Sequence, residues 1–144
     1  MKLLDETIDM LRQYLDAGAS GVLETVAEDD LLREVAGLLQ SYELDEYRSL
    51  TILGCYVLIG LAMSKHLELV LNDNGALTRG ILDGDYLLGL YYRMMAARRE
   101  WRLMAHLAPF QKRMQSDLLQ GRQQRAVMAE LRDELQRYLD RQCA

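Results

Sequence analysis

The stretch Leu50-Thr51-Ile52-Leu53-Gly54-Cys55-Tyr56-Val57-Leu58-Ile59-Gly60-Leu61-Ala62-Met63 decides the fold class. It is apolar nearly all round, which is how the central helix of a bundle reads. By itself it is too short for a membrane span, and Lys65, His66 and Glu68 follow it. The helical pattern extends from near Asp45 to about Leu71. Ile52, Cys55, Tyr56, Ile59, Met63, Leu67 and Val70 share one face at three- and four-residue spacing.

The flanking segments are amphipathic helices that such a centre needs. Residues 2–16 place Leu4, Ile8, Leu11 and Leu15 on one face, and Gly18-Ala19-Ser20-Gly21 stops them. Thr25 and Glu28 have the spacing of a capping box. Leu31 to Ser41 forms the next helix, capped by Asp29 or Asp30. Asn72-Asp73-Asn74-Gly75 reads as a loop. Ala76 to about Arg99 follows, with Gly80, Gly84 and Gly89 inside it. Gly80 and Gly84 lie one turn apart, so a neighbouring helix comes close there. Glu100 to Gly121 is helical but broken or kinked before Pro109. Gln123 to about Arg141 closes the chain, with Met128, Leu131, Leu135 and Tyr138 as its buried stripe. The expectation is an all-α bundle of about six helices, a single domain over residues 1–144.

Composition agrees. The 144 residues are half hydrophobic, with one proline and two cysteines, which argues against a β-sandwich, a disordered chain and a disulfide scaffold. Charge is uneven: residues 1–92 carry 6 Lys/Arg and 16 Asp/Glu, residues 93–144 carry 11 and 6. The basic residues alternate with acids and apolar residues at helical spacing, so they read as a solvated helix face rather than a nucleic-acid tail. No membrane span is expected. Acids appear at once after Met1, unlike a signal peptide, so a cytoplasmic location is expected.

Little in the sequence reads as reactive chemistry. His66 and His106 are far apart, and no zinc-ligand spacing or phosphate loop occurs. Cys55 reads as a small buried hydrophobe. Tyr91, Tyr92, Met94, Met95 and Trp101 read as core plus an adaptable contact surface. Asp29-Asp30 suits helix capping. Asp83 and Asp85, two residues apart, point to different sides of a helix and suit its surface.

One segment carries more. Ile81-Leu82-Asp83-Gly84-Asp85-Tyr86-Leu87-Leu88 resembles the Leu-x-Gly-Asp-Tyr-Leu-Leu element of trans-polyprenyl diphosphate synthases. With Gly89-Leu90-Tyr91-Tyr92 it is more similar still to the small, component I subunit of two-component heptaprenyl and hexaprenyl diphosphate synthases. The motif covers about a dozen residues, and the order of helices around it also fits. The resemblance implies a partial isoprenoid-synthase-like fold and a larger catalytic partner that carries the aspartate-rich motifs and their magnesium. It implies no cofactor on this chain. Where the first such motif belongs, the sequence offers only His66, Glu68 and Asp73. The second belongs further downstream than this sequence runs, and Asp133-Glu134 and Asp140 do not form it. Metal-assisted ionisation of a prenyl diphosphate needs those ligands, so the implied role is non-catalytic: completing a heterodimer and helping set product length for a quinone side chain. The expected subunit interface or chain-length wall is Gly80, Gly84, Asp85, Tyr86, Leu88, Tyr91 and Tyr92. The alternative is a free-standing, homodimeric helical interaction module.

Overall fold

Three- and four-residue apolar spacing produces helices along the whole described chain. The computed structural model describes residues 1–67 and 73–142. Helix α1 is Lys2–Arg12, followed by a 3-10 segment, Ala17–Thr25. Helices α2 (Asp30–Ser41), α3 (Glu46–Leu67), α4 (Asn74–Ala97), α5 (Trp101–Leu119) and α6 (Gln124–Gln142) complete the bundle. Helix α3 packs against α1, α2, α4 and α6, while α5 packs on α4 and α6.

The apolar stretch is the core helix the sequence suggests. Every residue from Thr51 to Ile59 is buried, and Leu61, Ala62 and Met63 join them. Burying a leucine or isoleucine side chain contributes about 1.5–3 kcal/mol, which is why this helix organises the others. Gly54 brings α1 and α4 close. A Cβ there would lie 2.9 Å from Met10 Cε and 3.3 Å from Met94 Sδ. The full Glu46–Leu67 helix has the length and composition of a membrane span, and 67% of its most apolar window is buried in the bundle.

Four boundaries differ from the sequence reading. Helix α1 ends at Arg12, not residue 16, because Tyr14 and Asp16 are claimed by α4. Arg93 Nη2 donates to the Tyr14 carbonyl at 2.5 Å, and the Asp16 N–H donates to Tyr86 Oη at 3.1 Å. The Gly18–Gly21 stretch lies inside the 3-10 segment, whose turns the Ser20 and Thr25 hydroxyls reinforce by donating to the Ala17 and Val22 carbonyls. Thr25 therefore closes that segment, and the true cap of α2 is Asp29, which accepts from the Leu32 N–H at 2.8 Å. Helix α4 begins at Asn74, because Asp73 caps it by accepting from the Ala76 N–H at 3.1 Å. Helix α5 runs through Pro109 unbroken. Pro109 lies on the exposed side, while Leu103, Leu107, Phe110 and Met114 hold both halves to the core. The expected extension of α3 over residues 68–71, with Val70, lies outside the described residues, as does Cys143.

Helices α4 and α5 end in the same turn with different residues. In each, the third residue past the helix donates its N–H to the carbonyl of the helix's third-last residue: Glu100 to Met95, 2.9 Å, and Arg122 to Asp117, 3.0 Å. This motif needs a left-handed residue at its centre. Gly121 supplies it at φ +88° for α5, but Arg99 supplies it at φ +63° for α4. An L-residue in that region costs roughly 1–2 kcal/mol.

Candidate functional site

Helix α4 carries the segment that drew attention, and its two sides differ. Gly80, Gly84, Leu87, Leu90, Tyr91, Met94 and Met95 are buried. The close approach expected at Gly84 is present. The His66 ring of α3 lies over the bare Gly84 backbone, and a Cβ there would be 2.8 Å from the ring Cγ and closer to Cδ2 and Nε2. His66 Nε2 then pairs with Asp85 Oδ1 at 3.0 Å. Tyr86, half-buried, holds the Asp16 amide. Gly84, Asp85 and Tyr86 thus each tie α4 to another part of the same fold. Leu88 is half-buried against the core.

Tyr91 is fully buried, beside Tyr92 with ring centroids 5.0 Å apart. Burial pushes its phenol up, with Cys55 and Tyr92 adding to the effect, and its hydroxyl has no hydrogen-bond partner among the described residues. Tyr92 is 47% exposed, and its hydroxyl donates to Gln111 Oε1 at 3.4 Å.

Of the expected interface set, Gly80, Gly84 and Tyr91 are buried within the bundle, Leu88 and Tyr86 are half-buried, and Asp85 and Tyr92 are exposed. Ile81 (46% exposed) and Leu82 (59% exposed) lie outward with Tyr92 and were not singled out. Between them sits Gly89, exposed, with no described residue within 4 Å of where its Cβ would be. The signal was available: Leu82, Asp85, Gly89 and Tyr92 recur at spacings of three, four and three.

The steric difference between the two glycines is measurable. Gly84→Ala must displace the His66 ring and is expected to lose about 1 kcal/mol, overlap outweighing the gain in helix propensity. Gly89→Ala meets no atom and is expected to gain about 0.5–1 kcal/mol. Thermal unfolding of the two variants checks both signs.

The other expectations resolve simply. His106 is structural, its Nε2 3.0 Å from Glu134 Oε2 and its ring against Tyr138. Cys55 is fully buried, and burial pushes its thiol up. Of the acids where the first aspartate-rich motif was sought, Glu68 lies outside the described residues. Asp73 is engaged as a helix cap, Asp85 is paired with His66, and no three His, Cys, Asp or Glu side chains cluster among the described residues. A solvent-open cavity of about 420 Å³ lies between α2, α3 and α6, where Gln124 Nε2 donates to Ser64 Oγ at 2.7 Å. Its lining is mixed, with Leu61, Met128, Tyr56 and Arg125. Comparison with protein-family models, curated proteins and solved structures found no match to this chain.

Proposed function

We propose that the chain is the non-catalytic subunit of a heterodimeric long-chain trans-polyprenyl diphosphate synthase. The carrying observation is the outer side of α4. The helix with the Gly-Asp-Tyr element exposes Ile81, Leu82 and Tyr92 around Gly89. Within this chain Gly89 weakens the helix with no packing in return. A second chain's helix lying across Leu82 and Tyr92 would use the bare backbone for close approach. Tyrosine and leucine there supply contact area at modest entropic cost. The growing prenyl chain requires a wall free of water. A subunit docked through α4 contributes by fixing the catalytic subunit's geometry or by extending that wall, and magnesium is held by the partner.

Co-expression with a prenyltransferase from the same genome that carries two aspartate-rich motifs tests this reading. Co-purification as a heterodimer is the expected result. A chain that forms only a homodimer and ignores the prenyltransferase establishes the interaction-module alternative instead. Gly89→Ala separates folding from association: the isolated chain becomes more stable while the complex weakens.

A further inference from the structure

The turn between α4 and α5 gathers positive charge around a pocket of about 290 Å³. Arg48, Arg98, Arg99 and Arg102 line it with Trp101, Tyr138 and Gln142, and Glu100 is the one acid among the described lining residues. Glu100 is already committed. Its carboxylate accepts from Arg48 Nε at 2.7 Å and from Arg48 Nη2 at 3.2 Å. Arg98, Arg99 and Arg102 are left without a carboxylate partner within 4 Å among the described residues. Arg98 is held in place: Nε donates to Thr51 Oγ1 at 2.5 Å, Nη2 donates to the Tyr47 carbonyl at 3.1 Å, and the guanidinium lies 3.8 Å from the Tyr47 ring centroid.

Two non-glycine residues among those described have left-handed backbone, Glu43 after α2 at φ +53° and Arg99, and only Arg99 lines this pocket. Arg99 occupies the left-handed position that glycine fills in the matching turn after α5. An arginine there sacrifices stability and adds a third unpaired charge to the pocket. Strain of this kind concentrates where a side chain has work to do. Trp101, 58% exposed, sets an aromatic face beside these charges.

We propose that this elbow binds a small phosphorylated anion, with its phosphate oxygens shared among Arg98, Arg99 and Arg102. Three guanidinium groups without a carboxylate partner among the described residues, of which Arg98 is held by Thr51 and Tyr47, match a polyanion, and the planar fork of arginine fits phosphate oxygens in pairs. The pocket is open to solvent and, at about 290 Å³, has room for a small phosphorylated anion. The site is independent of the outer α4 face and of the prenyltransferase reading.

Trp101 is the chain's single tryptophan, so its fluorescence reports the site directly. Titration of the intact chain with inorganic pyrophosphate at constant ionic strength is expected to give a saturable change with a submillimolar midpoint. Sulfate is expected to need at least tenfold more. Arg99→Gly relieves the backbone and is expected to raise Tm by about 2 °C while weakening pyrophosphate binding at least tenfold. Arg102→Gln, on the exposed side of α5, is expected to weaken it likewise. A non-saturating titration, or equal binding by Arg99→Gly and Arg102→Gln, overturns the proposal. Displacement of pyrophosphate by a short single-stranded oligonucleotide at lower concentration overturns it in favour of a nucleic-acid surface.

Discussion

Arg48→Met is expected to lower stability by about 3 kcal/mol, or roughly 10 °C in Tm. Glu100 is only 6% exposed, and Arg48 meets both of its carboxylate oxygens. The same hydrogen bonds hold the Arg48 guanidinium above its ordinary range. The pair joins the start of α3 to the turn before α5, fifty-two residues away along the chain. Removing the arginine leaves a buried carboxylate without its fork of donors. The figure sits at the lower end for a broken buried pair because 30% of the Arg48 side chain is exposed. Arg98, Arg99 and Arg102 around the same pocket also soften the loss. The double variant Arg48→Met/Glu100→Leu removes both charges and is expected to recover most of the stability. Urea unfolding of the two variants checks the result. A loss under 1 kcal/mol for the single variant would show the pair to be of little consequence to the fold.

Leu82→Glu is expected to leave the isolated chain's stability within about 0.5 kcal/mol of the parent and to abolish association with the catalytic subunit under the proposed reading. Leu82 is 59% exposed, so a carboxylate there stays hydrated in the free chain. Buried at the centre of an apolar subunit contact it would lose that hydration with no partner, a penalty of several kcal/mol. The expected readout is at least a hundredfold loss of affinity with an unchanged melting curve. Glu130→Ala, on a partly exposed part of α6 remote in sequence from α4, serves as the matching control and is expected to bind as the parent does. Equal affinity of Leu82→Glu and parent chain would remove the outer α4 face from the account.

Local rules made some features legible and tertiary contacts hid others. Asp29 was readable as a cap because its partner, Leu32, is three residues away. The burial of α3 was readable because no face of it is polar over two turns. The end of α1 was not, since it is set by Arg93 and Tyr86, which lie 79 and 70 residues downstream of the groups they hold. Pro109 predicts a break by its missing N–H, yet Ala105, whose carbonyl it frees, lies on the exposed side of α5 where water reaches it, and the buried side keeps packing. On α4 the spacing of Gly80 and Gly84 announced a close contact without saying whether the neighbour was α3 or another chain. The structure gives α3. Ile81 and Leu82 escaped notice because an apolar residue in a helix reads as core by default, and only the rotation of α4 about its axis turns these two outward. The arginine elbow escaped for a different reason: Arg48 of α3, Arg98 and Arg99 of the turn after α4, and Arg102 of α5 converge only through that turn.

The most direct test of the central claim is the length of the prenyl product. The catalytic subunit is supplied with an allylic diphosphate, isopentenyl diphosphate and magnesium, with and without this chain. Long-chain product only when both proteins are present is the predicted result. Identical products in the two reactions, or product formed by this chain in isolation, would contradict it.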